Sequence, residues 1–246
     1  MRTVTPVIGG VAIVCAVLSG CTFSAGVNST PTVSKDDLQK DIADRLTKAG
    51  DPPESVTCKE DLVGEVGKTT RCEVVMGPTN SFEPVVTVTG IDGSTVGYDM
   101  APALSKDQLE KAVSRLVADA EGAQVDSASC ESGLEGQVGA VASCDLDAGG
   151  VQLRRMVEVT NVEGLTLNFD VLPVLIQAEV ESSLLDELES RVGQRPESAD
   201  CSGDLEGKPG KTVDCTIVAG PETTSFTLTV NTVEGSTINY SYEPKA

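Results

Sequence analysis

The sequence predicts an α+β protein made of three tandem small modules, each with one helix packed on an antiparallel meander of about four strands and closed by one disulfide. A cysteine pair with thirteen residues between its members occurs three times, with the same leucine and glycines inside it. The first cysteines lie 72 and then 71 residues apart, a longer period than the about 20–50 residues of solenoid repeats. A segment of helical periodicity precedes each pair, and alternating apolar residues follow it. The three copies are Cys58-x3-Leu62-x-Gly64-x2-Gly67-x4-Cys72, Cys130-x3-Leu134-x-Gly136-x2-Gly139-x4-Cys144 and Cys201-x3-Leu205-x-Gly207-x2-Gly210-x4-Cys215.

The N-terminal segment, residues 1–20, is interpreted as a secretion signal peptide. Arg2 supplies its positive charge, and the apolar run that follows is shorter than the about 20 residues that a membrane-spanning helix needs. The run ends in a Leu-Ser-Gly-Cys sequence at Cys21, which resembles a bacterial lipobox. This resemblance implies cleavage before Cys21 and acylation of that cysteine. The alternative is an ordinary secretory signal in which Cys21 is incidental.

Acylation of Cys21 predicts a protein held by its N-terminal acyl chains at the outer face of a bacterial plasma membrane, since two or more chains anchor stably. The residues after it are small and polar, so that residues 21–33 are interpreted as the anchor and a flexible tether. Module 1 is then predicted at residues 34–102, module 2 at 103–172 and module 3 at 173–246.

Each module is predicted to open with an amphipathic helix. Ser34 and Ser105 begin the first two helices with a capping-box-like sequence, whereas the third helix follows Pro173 and lacks the serine. Apolar residues then follow at helical spacing and are predicted to cover the sheet. They are Leu38, Ile42 and Leu46 in module 1, Leu109, Ala112, Val113 and Leu116 in module 2, and Val180, Leu184, Leu188 and Val192 in module 3.

The strands follow each helix in a regular order. One short strand ends at the first cysteine, and a second begins at the second cysteine. The third and closing strands are joined by an Asp-Gly or Glu-Gly turn, which is typical of a hairpin. The residues predicted to face inward from these two strands are Val86, Val88, Val96 and Tyr98 in module 1, Val157, Val159, Leu167 and Phe169 in module 2, and Leu228, Val230, Ile238 and Tyr240 in module 3.

The cysteine count indicates disulfides. Of the eight cysteines, Cys15 lies in the signal and Cys21 carries the lipid, which leaves an even six in an exported chain. Six cysteines allow fifteen pairings, and the repetition favours the pairing within each module. Zinc is disfavoured because the chain contains neither histidine nor a C-x-x-C motif. The predicted bridges are Cys58–Cys72, Cys130–Cys144 and Cys201–Cys215.

The Gly-x-x-Gly segment inside each cysteine pair is weak evidence for a phosphate-binding loop, because neither Lys-Ser/Thr nor a helix start follows it. The glycines are instead predicted to supply positive φ angles, so that the loop turns beneath the disulfide. These predicted structural glycines are Gly64, Gly67, Gly136, Gly139, Gly207 and Gly210.

The charge and residue usage exclude several functional classes. A net charge of −20 disfavours nucleic-acid binding, and the lack of histidine excludes a histidine-assisted triad. Asp145 and Asp147, two residues apart on one predicted strand, are a weak calcium candidate because Arg154 and Arg155 face them across the next turn. The sequence is therefore interpreted as that of a non-enzymatic protein, and no catalytic residue, metal ligand or cofactor is assigned.

The lipobox and the modules together resemble a known family. Modules with Val-x-Cys, Leu-x-Gly-x-x-Gly, a second cysteine, a Thr/Val strand and a Gly-Tyr-like ending are similar to a small secreted domain of unknown function. That domain occurs in envelope lipoproteins and membrane proteins of mycobacteria and related actinobacteria. Residues 34–246 fit the pattern, and module 2 fits least because it lacks the Gly-Pro turn. The resemblance implies an envelope location and a fold, and it brings no activity or ligand.

These observations favour a lipid-anchored, non-enzymatic envelope protein that displays its modules to an unknown envelope protein or small ligand. The first alternative is a carrier that holds a lipid or other apolar molecule between the helix and a curved sheet. The second alternative is an envelope hydrolase, which requires a serine near a lysine or two convergent carboxylates of perturbed pKa.

Overall fold

The structure, a computed structural model, describes residues 30–78, 80–122 and 124–245. The signal peptide and Cys21 lie outside these residues. Within them the helices are α1 (Lys35–Ala49), α2 (Lys106–Glu121) and α3 (Gln177–Val192), one in each module. In the described part of the chain, none of these helices has the length and apolar character needed to span a membrane.

The strands fall into the same three groups. Module 1 contains β1 (Thr32–Val33), β2 (Ser55–Cys58), β3 (Leu62–Val63), β4 (Thr69–Gly77), β5 (Asn80–Phe82), β6 (Val85–Asp92) and β7 (Thr95–Ala101). Module 2 contains β8 (Ala103–Leu104), β9 (Ser127–Cys130), β10 (Leu134–Glu135), β11 (Val141–Ala148), β12 (Val151–Glu163) and β13 (Thr166–Leu175), whose end reaches into module 3. Module 3 contains β14 (Ser198–Cys201), β15 (Leu205–Glu206), β16 (Thr212–Ala219), β17 (Glu222–Glu234) and β18 (Thr237–Pro244).

The fold is mixed α+β, with antiparallel sheets in the orders β2-β4-β6-β7, β9-β11-β12-β13 and β14-β16-β17-β18. It differs from a simple helix on a four-stranded meander in two ways. A short strand before each helix pairs with the strand after the first cysteine, as β1–β3, β8–β10 and β13–β15. In module 1 the third strand is also divided into β5 and β6, where Pro84 has no N–H to give to a ladder.

The first of these differences changes the start of module 1. Thr32 and Val33, which sequence analysis placed in the tether, pair with Val63 and Leu62. The last residues of the predicted tether are therefore part of the first module. A dipeptide between a proline and a helix cap has no periodicity of its own, so that only its distant partner reveals it as a strand.

The helix starts follow the predicted pattern. The Ser34 hydroxyl accepts a hydrogen bond from the Asp37 N–H at 3.2 Å. Ser105 forms a full capping box, because its own N–H also donates to the Gln108 side chain at 3.0 Å. Helix α3 lacks the serine, but the Glu179 side chain accepts from the Ile176 N–H at 3.1 Å and the Asp204 carboxylate accepts from the Gln177 N–H at 2.8 Å. A carboxylate at this end also interacts favourably with the helix dipole.

Each module buries its own apolar core between the helix and the sheet, and the predicted inward residues of the third strands, such as Val86 and Leu228, are at most 2% exposed. Two predicted helix positions were wrong, since Leu116 is 39% and Val192 is 70% exposed. In α2 the buried residue is Val117, four residues after Val113, and Leu116 lies about 100° away from it around the helix.

The modules are joined edge to edge rather than by loose linkers. Strand β13 pairs with β12 in module 2 and continues until it pairs with β15 in module 3, so that one strand belongs to both modules. Between modules 1 and 2, strand β7 ends at Ala101 and β8 begins at Ala103, with only Pro102 between them. Both junctions therefore place the next helix directly after the closing strand of the module before it.

Candidate functional site

The structure joins the six predicted cysteines within their modules. Each bridge links residues that face each other in adjacent strands, with Cα–Cα distances of 3.9, 3.9 and 4.0 Å. All six cysteines are at most 4% exposed and belong to the three cores. The bridges therefore fix the pairing of two strands beneath the helix, and they are buried structural bonds. The bonded pairs are Cys58–Cys72, Cys130–Cys144 and Cys201–Cys215.

The second glycine of each loop has the conformation that the sequence predicts. Gly67 has a φ of +86°, and its N–H donates to the carbonyl oxygen of Val88 in the third strand at 2.9 Å. A side chain there would have space but a strained backbone. The equivalent residues, Gly139 and Gly210, have φ angles of +84° and +86°.

For the first glycine of each loop, the predicted positive φ was wrong. Gly64, Gly136 and Gly207 have no positive φ. A Cβ at these three positions would lie 2.5, 2.1 and 2.5 Å from the carbonyl oxygen of the proline before the helix. Glycine is required there because two backbones approach closely. The Gly64 N–H, for example, donates to the Pro31 carbonyl oxygen at 2.7 Å. These prolines are Pro31, Pro102 and Pro173. They recur every 71 residues, and this spacing was the sequence signal from which the contact could have been found.

A further recurring contact was missed by sequence analysis. One helix side chain in each module accepts a hydrogen bond at 3.0 Å from the backbone N–H of the first cysteine. The hydrogen bond from the Cys201 N–H lowers the pKa of Glu181 below its usual value. The acceptors are Gln39, Glu110 and Glu181, which are spaced by 71 residues and share only a long side chain with a carbonyl or carboxylate oxygen.

Charged groups bridge modules 1 and 2. Glu83 is only 7% exposed and lies between Lys59 at 2.5 Å and Arg71 at 3.4 Å. Arg71 also reaches Glu135 of module 2 at 2.6 Å, and this hydrogen bond is the largest of the interactions that raise the pKa of Arg71. Since a buried carboxylate needs paired charges, this network ties the third strand of module 1 to its neighbour.

The junction of modules 2 and 3 uses other residues. Arg154 contacts Asp145 of its own module and Asp204 of module 3, both at 2.9 Å. The buried Arg155 donates to the Ser236 hydroxyl at 2.8 Å. Lys208, inside the glycine loop of module 3, pairs with Glu158 of module 2 at 2.6 Å. The loop residues that differ between copies thus include one that contacts a neighbouring module.

Asp145 and Asp147, which sequence analysis weighed as a calcium candidate, have structural partners, and so does Asp61. Asp145 pairs with Arg154, as just described, and Asp147 accepts from the Gly150 N–H at 2.9 Å and from the Gln152 side chain. Asp61, in the loop of module 1, accepts from the Lys35 N–H at the start of α1 at 2.8 Å. These carboxylates stabilise turns and helix starts. Among the described residues, no cluster of three or more metal-binding side chains occurs.

One concave feature of the structure lies between two modules. A cleft of about 740 Å³ opens between modules 1 and 2, whereas the carrier hypothesis placed a ligand between helix and sheet within one module. There the structure places fully buried side chains such as Leu38 and Ile42. A second hollow of about 600 Å³ lies on the outer side of α2 beside β9, and it is lined largely by charged and polar residues.

A family model described as a domain of unknown function, DUF4333, matches the chain three times in tandem, over residues 16–93, 94–164 and 165–235. The chain belongs to this family. Two match boundaries fall at the hairpin turns of Gly93 and Gly164, so that the second and third DUF4333 units begin one strand earlier than modules 2 and 3 as defined above. No curated protein and no solved structure matches the chain.

Proposed function

We propose that this triple DUF4333 protein is a lipid-anchored, non-enzymatic component of a bacterial cell envelope, which displays its modules outside the plasma membrane to bind a protein or a small ligand. The lipobox-like sequence at Cys21 and the three disulfides support this location, because disulfides persist outside the reducing cytoplasm. The origin proposed is actinobacterial, from the resemblance described above.

One observation carries the non-enzymatic part of the proposal. The side-chain contacts found in all three copies, the disulfide and the helix oxygen that accepts from the first cysteine N–H, hold the framework together. The exposed side chains inside the loops differ between copies, as Glu65, Gln137 and Lys208 show. A conserved scaffold with variable surfaces suits binding, and tandem display multiplies weak contacts through effective concentration.

The junctions add a second argument for display. A shared strand and ion pairs hold successive modules at fixed distances, so that a partner meets an ordered array of surfaces. A binder that is already ordered loses less conformational entropy on association than a flexible chain does.

The anchor is tested by cell fractionation and mass spectrometry of the N-terminal peptide. We expect the wild-type chain in the membrane fraction with an acylated Cys21, and a Cys21→Ser variant without the acyl mass and outside that fraction. The matched control is Cys15→Ser, which makes the same chemical change inside the predicted signal peptide and is expected to leave anchoring intact. Membrane retention of Cys21→Ser without acylation contradicts the proposed anchor.

Display is tested by chemical crosslinking on intact cells, followed by identification of the captured proteins. The wild-type chain and the Cys21→Ser variant are compared, because they present the same modules with and without the anchor. A partner recovered only with the anchored chain supports display in the envelope. Failure to recover any protein above the Cys21→Ser background argues against a protein partner and favours the carrier alternative.

A further inference from the structure

The cleft between modules 1 and 2, called the intermodule cleft below, has two apolar walls. Its wall from module 1 includes Met76 and Phe82, and its wall from module 2 includes Leu165, Leu167 and Phe169, all half-buried. Its volume of about 740 Å³ falls within the range of about 300–1,000 Å³ that small-molecule sites occupy. The cleft therefore has the size of a small-molecule site, and its apolar side chains alternate with polar ones, including Ser81 and Gln108, which are hydrogen-bonded to each other at 3.2 Å.

Modules 1 and 3 have a polar contact at the positions that form the apolar wall in module 2. In module 1 the Tyr98 hydroxyl donates to Asp41 on the helix at 2.9 Å. In module 3 the Tyr240 hydroxyl forms a hydrogen bond with Ser183, at the equivalent helix position, at 2.7 Å. A polar pair thus joins the helix to the closing strand in both modules.

Module 2 lacks this polar pair at the same two positions. Spaced by 71 residues from the others, they hold Ala112 and Phe169, and both side chains line the intermodule cleft. Leu165, which also lines the cleft, stands where modules 1 and 3 have Ser94 and Ser236. Three polar positions of the repeat are therefore apolar in the one copy that forms this wall.

A fourth change at the cleft alters its charge. Arg115 on α2 lines the cleft where the other helices carry Asp44 and Asp186. Lys111 lies one turn before it on the same side of the helix, and among the described residues of the lining Asp51 is the one acidic residue. In a chain of net charge −20, the cleft lining carries a net charge of +1. Lys111 and Arg115 also border the hollow on the outer side of α2, which carries Asp107, Glu110 and Asp126, so the two cations lie between an acidic surface and the cleft.

We propose that the intermodule cleft binds a long-chain carboxylate, with the acyl chain against the apolar walls and the carboxylate paired with Lys111 and Arg115. Apolar walls reward burial of a hydrocarbon chain, and two neighbouring cations favour an anionic head. A second copy of the chain fits poorly, since two chains of charge −20 repel each other. The assignment rests on the proposed function in its ligand-binding part, and it names the class of ligand.

The test is equilibrium dialysis of radiolabelled palmitate against the purified, disulfide-bonded mature chain carrying Cys21→Ser. We expect saturable binding of one palmitate per chain. The double variant Lys111→Gln/Arg115→Gln is expected to bind about tenfold or more weakly, because it removes two charge-assisted hydrogen bonds. The matched control, Lys35→Gln/Lys40→Gln, removes the same charge from exposed positions of α1 and is expected to change the affinity less than about twofold.

A second variant tests the apolar wall. Ala112→Asp/Phe169→Tyr installs in module 2 the polar pair that module 1 already contains, so that the repeat itself shows the pair to be compatible with this fold. Circular dichroism and hydrogen exchange verify folding. We expect this variant to lose palmitate binding, and retained binding in the folded variant overturns the placement of the acyl chain in the cleft.

Two further ligands define the head group. Hexadecanol, which has the chain without the charge, is expected to bind at least about tenfold more weakly than palmitate. Equal binding of hexadecanol, stronger binding of hexadecyl phosphate, or no saturable binding of palmitate overturns the assignment. Palmitate binding without any envelope partner would contradict only the protein-display part of the proposed function. A recovered partner without palmitate binding would contradict only the assignment of the cleft.

Discussion

The two glycines of each loop make a prediction that separates two physical reasons for glycine, and module 3 offers the clearest case. Gly207 is required by a close approach, because a Cβ there would lie 2.5 Å from the Pro173 carbonyl oxygen. Gly210 is required by its φ of +86°, and a Cβ there meets nothing within 4 Å. Alanine at 207 forces β15 away from β13 and breaks the hydrogen bond from the Gly207 N–H to Pro173 at 2.8 Å.

The expected cost follows from these contacts. Gly207→Ala is expected to lower the free energy of unfolding by about 2–4 kcal/mol, because it removes one hydrogen bond and leaves a buried polar group unpaired. Gly210→Ala is expected to cost about 1–2 kcal/mol, the penalty of a left-handed conformation for an L-residue. Asparagine separates the two causes, because it adopts positive φ more readily than alanine but is larger. Gly210→Asn should therefore be milder than Gly210→Ala, whereas Gly207→Asn should be at least as damaging as Gly207→Ala.

The assay is denaturant unfolding of the full disulfide-bonded chain, combined with hydrogen exchange read peptide by peptide. The Gly207 variants are expected to lose protection in β15 and at the end of β13, and the Gly210 variants are expected to keep it. The reasoning is refuted if Gly207→Ala is as stable as the wild type, or if asparagine ranks the same way against alanine at both positions.

Three further predictions concern the disulfide, the helix contact and the buried carboxylate. Replacing Cys201 and Cys215 together by alanine removes a bridge of sequence separation 14 and is expected to cost about 3 kcal/mol in denaturant unfolding, and an unchanged midpoint for module 3 would contradict this. Because the folded state lowers the pKa of Glu181, its contribution is present above the unfolded pKa near 4.5 and is lost as the pH falls through the folded pKa. Glu181→Gln, which keeps the acceptor, is therefore expected to reduce the acid sensitivity of module 3 in pH-dependent unfolding, and an identical pH profile would count against this. Glu83→Ala removes a buried acceptor whose two cationic donors remain accessible to water, and it is expected to destabilise the first junction by about 2 kcal/mol. The exposed Glu135→Ala should cost less than about 1 kcal/mol, and equal effects of the two variants in thermal unfolding would show that burial does not matter here.

The repeat made much of the framework predictable from the sequence. Three copies of one cysteine register indicated both the number of modules and the local bridges, and the alternation in the third strands identified buried residues such as Val157. Serine caps and glycine turns predicted where α1 and α2 begin and where the hairpins close. These features are local, and each depends on a few neighbouring residues.

What sequence reasoning missed depends on contacts between distant residues. The role of Gly64 depends on Pro31, 33 positions earlier, and only their spatial approach shows why a side chain is excluded. The intermodule cleft likewise depends on how module 2 faces module 1. Its signal was nevertheless present in the sequence, since Ala112 and Leu165 depart from the polar residues of the other copies.

The offset between family matches and structural modules bears on how such a chain changes in length. A DUF4333 unit runs from one hairpin turn to the next, as at Gly93 and Gly164, and so includes the closing strand of one module and the helix of the following one. A duplication bounded at these turns copies a module together with the joint to its neighbour. A change in length at these solvent-exposed turns therefore keeps each closing strand in one piece with the helix that follows it, whereas the ion pairs between modules depend on which two units become neighbours.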